Sequence, residues 1–236
     1  MVNIWLAFII TLALALSWLR LNDFLASRGW ISPTLSRKII HMGTGPIFVL
    51  CWLLFPETQS SRYLAALIPF GITAQFALVG LGIIKDQAAV DAMARTGDRR
   101  EILRGPLYYG IVFVVLTIVY WRDSLIGIVA LMLMCGGDAL ADILGRRVQS
   151  SGKLPWSKRK SWLGSLGMLL GGWVFAIVVA VIYLAAGHFS GPFGGYLLRI
   201  TIIAFIGTLI ESLPFQDIDN ITVTVAAVLT GHLLGL

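Results

Sequence analysis

Charged residues are scarce in this chain, making up 13% of 236 residues against about 25% in an ordinary soluble domain. That shortage, with 58% hydrophobic residues and a mean hydropathy of +0.86, excludes a soluble fold of this size. Cysteine is nearly absent. Cys51 and Cys135 both sit in apolar runs, which fits small buried residues better than a disulfide or a metal pair. No basic residue precedes the first apolar stretch, whose first positive charge is Arg20, so Met1 to Leu19 reads as a first span and neither a cleavable signal nor a transit peptide. There is no internal repeat, no low-complexity tract and no arginine-rich tail or zinc spacing. The net charge of +6 therefore implies positive-inside bias and not nucleic acid.

What remains is long apolar runs. They occupy approximately Asn3 to Leu19, Ile39 to Phe55, Tyr63 to Ile84, Pro106 to Trp121, Ser124 to Leu144, Trp162 to Gly187, Gly195 to Leu213 and Asn220 to Leu236. With about 20 apolar residues needed per span, the expected architecture is an all-α polytopic integral membrane protein of about eight transmembrane helices, or seven. It forms one domain over residues 1–236. The fifth run is uninterrupted only from Leu125 to Cys135 before Gly136-Gly137-Asp138, so a broken helix is expected there.

The few charges are unevenly placed. Loops one, three and five hold fifteen of the eighteen Lys and Arg, while Arg62, Arg122 and Arg199 fall on the other side. This alternation predicts an even number of spans with the odd loops cytoplasmic. Ten of the twelve acids share that side, with only Glu57 and Asp123 outside it. Orienting helices needs positive charge alone, so gathered carboxylates call for chemistry.

The sharpest segment runs from Gly136-Gly137-Asp138 through Asp142 to Gly145-Arg146-Arg147, then Gly152-Lys153-Leu154-Pro155 and Lys158-Arg159-Lys160-Ser161-Trp162-Leu163-Gly164-Ser165. Asp138 and Asp142, four apart, share one helix face. Such hard oxygens suit Mg²⁺ that keeps waters and bridges to substrate phosphates. Arg146, Arg147, Lys153, Lys160, Ser161, Gly164 and Ser165 are the residue types that give phosphate oxygens charge, donors and close backbone approach. The plain alternative is Asp138 as a helix cap, Asp142 paired with Arg146, and a basic belt for lipid headgroups. This is not a Walker A loop, because six residues separate Gly145 from Gly152 and Leu154 replaces the Ser or Thr.

Arg37, Lys38 and His41 lie at helical spacing near one end of span two and either hold phosphate or anchor the interface. In the third loop, Arg95 to Pro106 interleaves charges, including Arg99, Glu101 and Arg104, a pattern that favours internal pairing. Glu211-Ser212, Asp217 and Asp219-Asn220 make a second carboxylate group free of Lys and Arg. It either binds metal or pairs with the basic fifth loop.

From residue 37 onward these stretches, with Gly43-Thr-Gly45, Arg95 to Tyr109, Gly137-Asp138 to Arg147 and Lys160 to Ser165, resemble the phytol kinase family, relatives of dolichol kinase and, more distantly, CDP-diacylglycerol synthase. The resemblance implies a transferase that moves phosphoryl from CTP to phytol, an isoprenoid alcohol, giving phytyl monophosphate for tocopherol and related prenyl lipids. Under it Asp138, Asp142, Lys160 and Glu211 are the expected catalytic residues. Asp138, Asp142 and Asp219 are the expected Mg²⁺ ligands, and Arg37, Lys38, His41, Arg146, Arg147, Lys153, Ser161, Gly164 and Ser165 hold nucleotide. Arg99, Glu101, Arg104 and Asn220 are further substrate or phosphate candidates. Leu163 departs from the Glu that dolichol kinases and CDP-diacylglycerol synthases tend to carry there, which makes Asp138 the better acid/base choice. Partners are membrane lipid, a prenyl alcohol and CTP, and the expected location is a bacterial, cyanobacterial-type membrane. Two other readings stand beside it, a CTP-dependent lipid cytidylyltransferase and a non-enzymatic transporter with acids along an ion path.

Overall fold

The computed structural model describes residues 3–94, 96–147, 152–215 and 217–236; Arg95 of the third loop lies outside them. The chain is 77% helical. Its helices are α1 (Ile4–Ser27), α2 (Pro33–Cys51), α3 (Gln59–Leu81), α4 (Gln87–Met93), α5 (Gly105–Val119), α6 (Leu125–Met132), α7 (Asp138–Gly145), α8 (Trp162–Ala185), α9 (Phe193–Glu211) and α10 (Asp219–Leu233). The expectation of an all-α polytopic membrane protein holds. One addition is a small antiparallel hairpin in the fifth loop, β1 (Lys153–Leu154) and β2 (Ser157–Ser161).

Among the described residues, six of the eight expected spans are helices long and apolar enough to cross a membrane. The two that fall short do so for separate reasons. Helix α2 carries Ser36, Arg37, Lys38 and His41 in its first half. Helix α10 has 15 residues, about 22 Å at 1.5 Å per residue, against a hydrocarbon core of about 30 Å.

The broken fifth span is the axis of the bundle. Over Leu125–Gly145, 78% of the most apolar window is buried, against 17 to 39% for the other five spans. A chain segment buried on all sides must be apolar all round, which is why every residue from Leu125 to Gly137 is buried. Between α6 and α7 the helix widens into a π-turn over Leu133–Gly137, a device that re-aims the residues after it and recurs at functional sites.

Small residues make this packing reachable. A Cβ on Gly171 of α8 would stand 2.5 Å from the Gly136 carbonyl oxygen, and one on Gly167 would stand 2.7 Å from that of Leu140. Backbones approach this closely in membranes only where side chains are missing. The glycine row of α8 thus seats it against the π-turn and α7, and fixes where Asp138 points.

At the end of the bundle away from most charges, the basic residues have structural partners. Arg122 is buried and donates to the carbonyl oxygens of Trp52 at 3.2 Å, Phe55 at 3.0 Å and Pro56 at 3.4 Å. Arg62 pairs with Asp123, and Arg199 donates to the Gly235 carbonyl at 3.0 Å.

Candidate active site

The first turns of α2, α7 and α10, the last turn of α9 and the hairpin leading into α8 all open on one cavity of about 290 Å³. Asp138 and Asp142 stand one turn apart on α7, as their spacing predicts, facing α2. Lys38 Nζ reaches Asp142 Oδ2 at 3.2 Å and Asp138 Oδ2 at 3.8 Å, and His41 Nε2 lies 3.4 Å from Asp138 Oδ2. Arg146 Nε donates to Asp142 Oδ2 at 2.8 Å. The repulsion between two like charges on one helix face is therefore relieved by cations from α2 and from the next turn of α7. The Asp142–Arg146 pair is the one helical spacing suggested.

His41 is held from behind. Its ring lies 4.2 Å from that of Tyr109 on α5, and the Tyr109 hydroxyl donates to the His41 carbonyl oxygen at 3.1 Å.

On the opposite wall the hairpin delivers Lys160. Its ammonium donates to Glu211 Oε1 at 2.5 Å and to Asp219 Oδ2 at 2.8 Å. Burial alone would lower the Lys160 pKa, but the Glu211 and Asp219 carboxylates outweigh it and hold the ammonium above its ordinary value. The hairpin is pinned at its tip, where Trp156 Nε1 donates to the Ser212 carbonyl at 3.0 Å, and internally, where Lys153 Nζ donates to the Arg159 carbonyl at 3.2 Å.

Helix α8 starts at the same cavity. Ser161 Oγ caps it by accepting from Gly164 N at 3.1 Å, and its first-turn amides with the helix dipole make a natural seat for an anion. Two buried oxygens that face this space, Ser165 Oγ and Asp219 Oδ1, have no hydrogen-bond partner. Buried polar atoms left unpaired cost free energy and mark places where a ligand completes the set.

Of the expected residues, Lys38, Asp138, Asp142, Arg146, Lys153, Lys160, Ser161, Gly164, Ser165, Glu211, Asp219 and Asn220 line the cavity, and His41 stands behind Asp138. The rest do other work. Arg37 donates to the Ala94 carbonyl at 3.2 Å. Glu101 accepts from the Thr96 amide and hydroxyl at 3.1 and 2.9 Å, and Arg99 packs its guanidinium where a side chain on Gly82 would stand. Arg104 pairs with Asp217 at 3.2 Å, tying the third loop to the cavity rim, and Arg147 lies past the end of α7. Within the third loop Glu101 is held by Thr96, while the charge pair of Arg104 reaches outside it to Asp217, where the interleaved pattern favoured internal pairing.

Asp138, Asp142 and Asp219 do not gather as the expected magnesium trio. Among the described residues no group of three His, Cys, Asp or Glu forms a metal-holding cluster, because two of these acids are drawn to Lys38 and the third to Lys160. Residues given no site role in the sequence also line the cavity, notably Gly105 and Phe215, together with Arg159 of the basic fifth loop and Asp217 of the acidic loop. Asn220 Nδ2, by donating to the Gly105 carbonyl at 3.2 Å, signals this juncture of α5 and α10, but nothing in the linear sequence announces it.

Comparison with known proteins places these features in a family. No protein-family model matches the chain, and no solved structure matches it. Curated relatives do. A probable chloroplastic phytol kinase of Triticum aestivum is 40% identical over 222 residues, 93% of this chain and 74% of the relative. A chloroplastic farnesol kinase of Arabidopsis thaliana is 39% identical over 230 residues, covering 97% and 74%. Phytol kinase 1 of the same plant, also chloroplastic, is 35% identical over 213 residues, covering 89% and 70%. These relatives are chloroplastic plant proteins, which overturns the expectation of a bacterial, cyanobacterial-type membrane. With a cavity lined by acids and bases, an apolar bundle and relatives at this level of identity in agreement, the chain belongs to the phytol kinase family of prenyl-alcohol kinases.

Proposed function

We propose that this cavity takes the triphosphate of CTP and that the enzyme transfers its γ-phosphoryl group to the hydroxyl of phytol, giving phytyl monophosphate and CDP for the synthesis of tocopherol and related prenyl lipids. The observation that carries this reading is the convergence of Lys38, Arg146, Lys153, Arg159 and Lys160 with the N-terminus of α8 on one cavity that also holds Asp138 and Glu211. Five cationic side chains neutralise the charge that spreads over a transferring phosphoryl group.

In the transfer, the alcohol oxygen forms a bond to the γ-phosphorus as the bond from that phosphorus to the β,γ-bridging oxygen breaks. The hydroxyl proton passes to a carboxylate, with Asp138 the first choice and Glu211 the second. Lys38 and His41 orient Asp138. Lys160 is held by Glu211 and Asp219 so that its charge stays at the cavity. The prenyl tail remains in the bilayer, and only its hydroxyl enters.

Magnesium fits as a companion of the nucleotide phosphates, since Mg²⁺ needs only one or two carboxylates when phosphates and waters fill its other positions. The unpartnered Asp219 Oδ1 and the nearby Asp138 are the oxygens to hold it. When bound, it supplies charge neutralisation on the phosphate oxygens.

Purified protein in detergent, given Mg²⁺, each nucleoside triphosphate in turn and phytol, farnesol or geranylgeraniol, tests the reading by mass analysis of both products. Prenyl monophosphate with CDP is expected. A CDP-lipid with pyrophosphate marks a cytidylyltransferase, and no monophosphate from any prenyl alcohol defeats the assignment.

A further inference from the structure

Phe215 is the one aromatic residue among the described residues lining the cavity, whose other apolar lining is Ala141 and three glycines. It sits in the loop between α9 and α10, 39% exposed, and no aromatic ring packs on it among the described residues.

The loop is held from both sides by elements that belong to the site. At its start the Ser212 carbonyl accepts from Trp156 at the hairpin tip, 3.0 Å away. At its end Asp217, in the left-handed region at φ 60°, pairs with Arg104 at 3.2 Å. Within it the Phe215 amide donates to the Leu213 carbonyl at 2.8 Å. These contacts hold the backbone on either side of Phe215 and leave its exposed ring beside the cavity, where it can receive something flat.

We infer that Phe215 is the stacking platform for the base of the nucleotide donor, and so a nucleotide-binding residue of the site proposed above, on whose nucleotide reading this inference rests. The competing occupant is the prenyl chain. An alkyl tail passing Phe215 would also pass Asp217, Asp219, Asn220 and Lys160 and strip water from them without replacing their hydrogen bonds, which is costly. A nucleobase offers a π-face to the ring and polar edges to those neighbours. Stacking on an aromatic ring contributes to binding with little dependence on which base is stacked.

The experiment compares the full-length protein with Phe215→Ala and Phe215→Trp in detergent, with Mg²⁺. It reads KM for CTP, KM for phytol, kcat, and inhibition by inorganic tripolyphosphate, which carries the phosphates without a base. Phe215→Ala is expected to raise KM for CTP by about tenfold, with phytol KM, kcat and tripolyphosphate inhibition unchanged, and Phe215→Trp to restore CTP binding. A rise in phytol KM, an equal weakening of tripolyphosphate, or an unchanged CTP KM overturns the inference. A wild-type protein that accepts no nucleotide overturns the donor reading and this inference with it, and is recognised before any variant is compared.

Discussion

Lys160 Nζ lies 2.5 Å from Glu211 Oε1, joining a hairpin outside the bundle to the last turn of a helix within it. Glu211 is 5% exposed, so the pair can be broken only by leaving a carboxylate buried without its cation.

Lys160→Met is therefore expected to cost about 3–5 kcal/mol of stability, the usual result of removing one partner of a buried pair. Adding Glu211→Met should recover the part of that stability that belongs to Glu211, because an apolar pair of similar volume avoids the desolvation cost, while Asp219 still lacks its cation. It should not recover activity, since the charge at the cavity is gone. Thermal unfolding and turnover of single and double variants in detergent separate the two effects.

The same contact sets a pH dependence. A lysine raised above its unfolded value contributes stability that is fully present below that value and disappears as pH climbs through the folded one. With the Lys160 ammonium raised from 10.5 by its carboxylate neighbours, its contribution should be flat through neutral and mildly alkaline pH and fade only above about pH 10.4. Melting temperature followed against pH should show this alkaline fall in the wild type and a smaller one in Lys160→Met.

Asp138→Asn keeps the shape of the side chain and removes its basicity. It is expected to lower kcat by about 10²-fold or more with KM for CTP less affected. Asp142→Asn, whose carboxylate is occupied by Lys38 and Arg146, should act mainly on nucleotide KM. An Asp138→Asn protein that folds, binds CTP and turns over normally would falsify the acid/base assignment.

Gly171→Ala tests how the site is held. The new methyl would sit 2.5 Å from the Gly136 carbonyl oxygen, backbone that cannot swing aside, so α8 must move from the π-turn at a cost of about 1–3 kcal/mol. Activity should fall although no charged group is touched, and a lowered melting temperature should accompany it. Gly195→Ala on α9, where an added methyl meets nothing within 4 Å, is the matched control.

Arg122 provides the opposite test, since it lies at the far end of the bundle from the cavity. Arg122→Ala should destabilise by about 2–4 kcal/mol, as the buried carbonyls of Trp52 and Phe55 and the half-buried one of Pro56 lose a charged donor. Turnover per folded molecule should stay near wild type. Thermal unfolding alongside activity normalised to folded protein checks both halves.

Much of this was legible in the chain. The apolar runs located the helices, the Gly136-Gly137-Asp138 break marked the π-turn, and five of the ten one-sided acids met five of the bases in one cavity. What escaped has a physical reason. The hairpin at Lys153–Ser161 reads as a basic loop because its strands are short and its residues polar, with no alternation to expose it. Asp138, Asp142 and Asp219 form no single cluster among the described residues, because sequence spacing brings Asp138 and Asp142 together but says nothing of Lys38, which arrives from another helix to face both. Phe215 and Gly105 enter the cavity only through packing between α5, α9 and α10, and no local pattern encodes that.

The π-turn also sets a depth. From Leu125 at the far end to Asp138 is about 20 Å of helix, while the hydrocarbon layer is about 30 Å thick. That length is shorter than the layer, so a span seated with Leu125 at one boundary would carry the Asp138 carboxylate below the other. On the proposed reading, phosphates reaching Asp138 would pass Lys38, Arg146, Lys153, Arg159 and Lys160, the cations that line the same cavity.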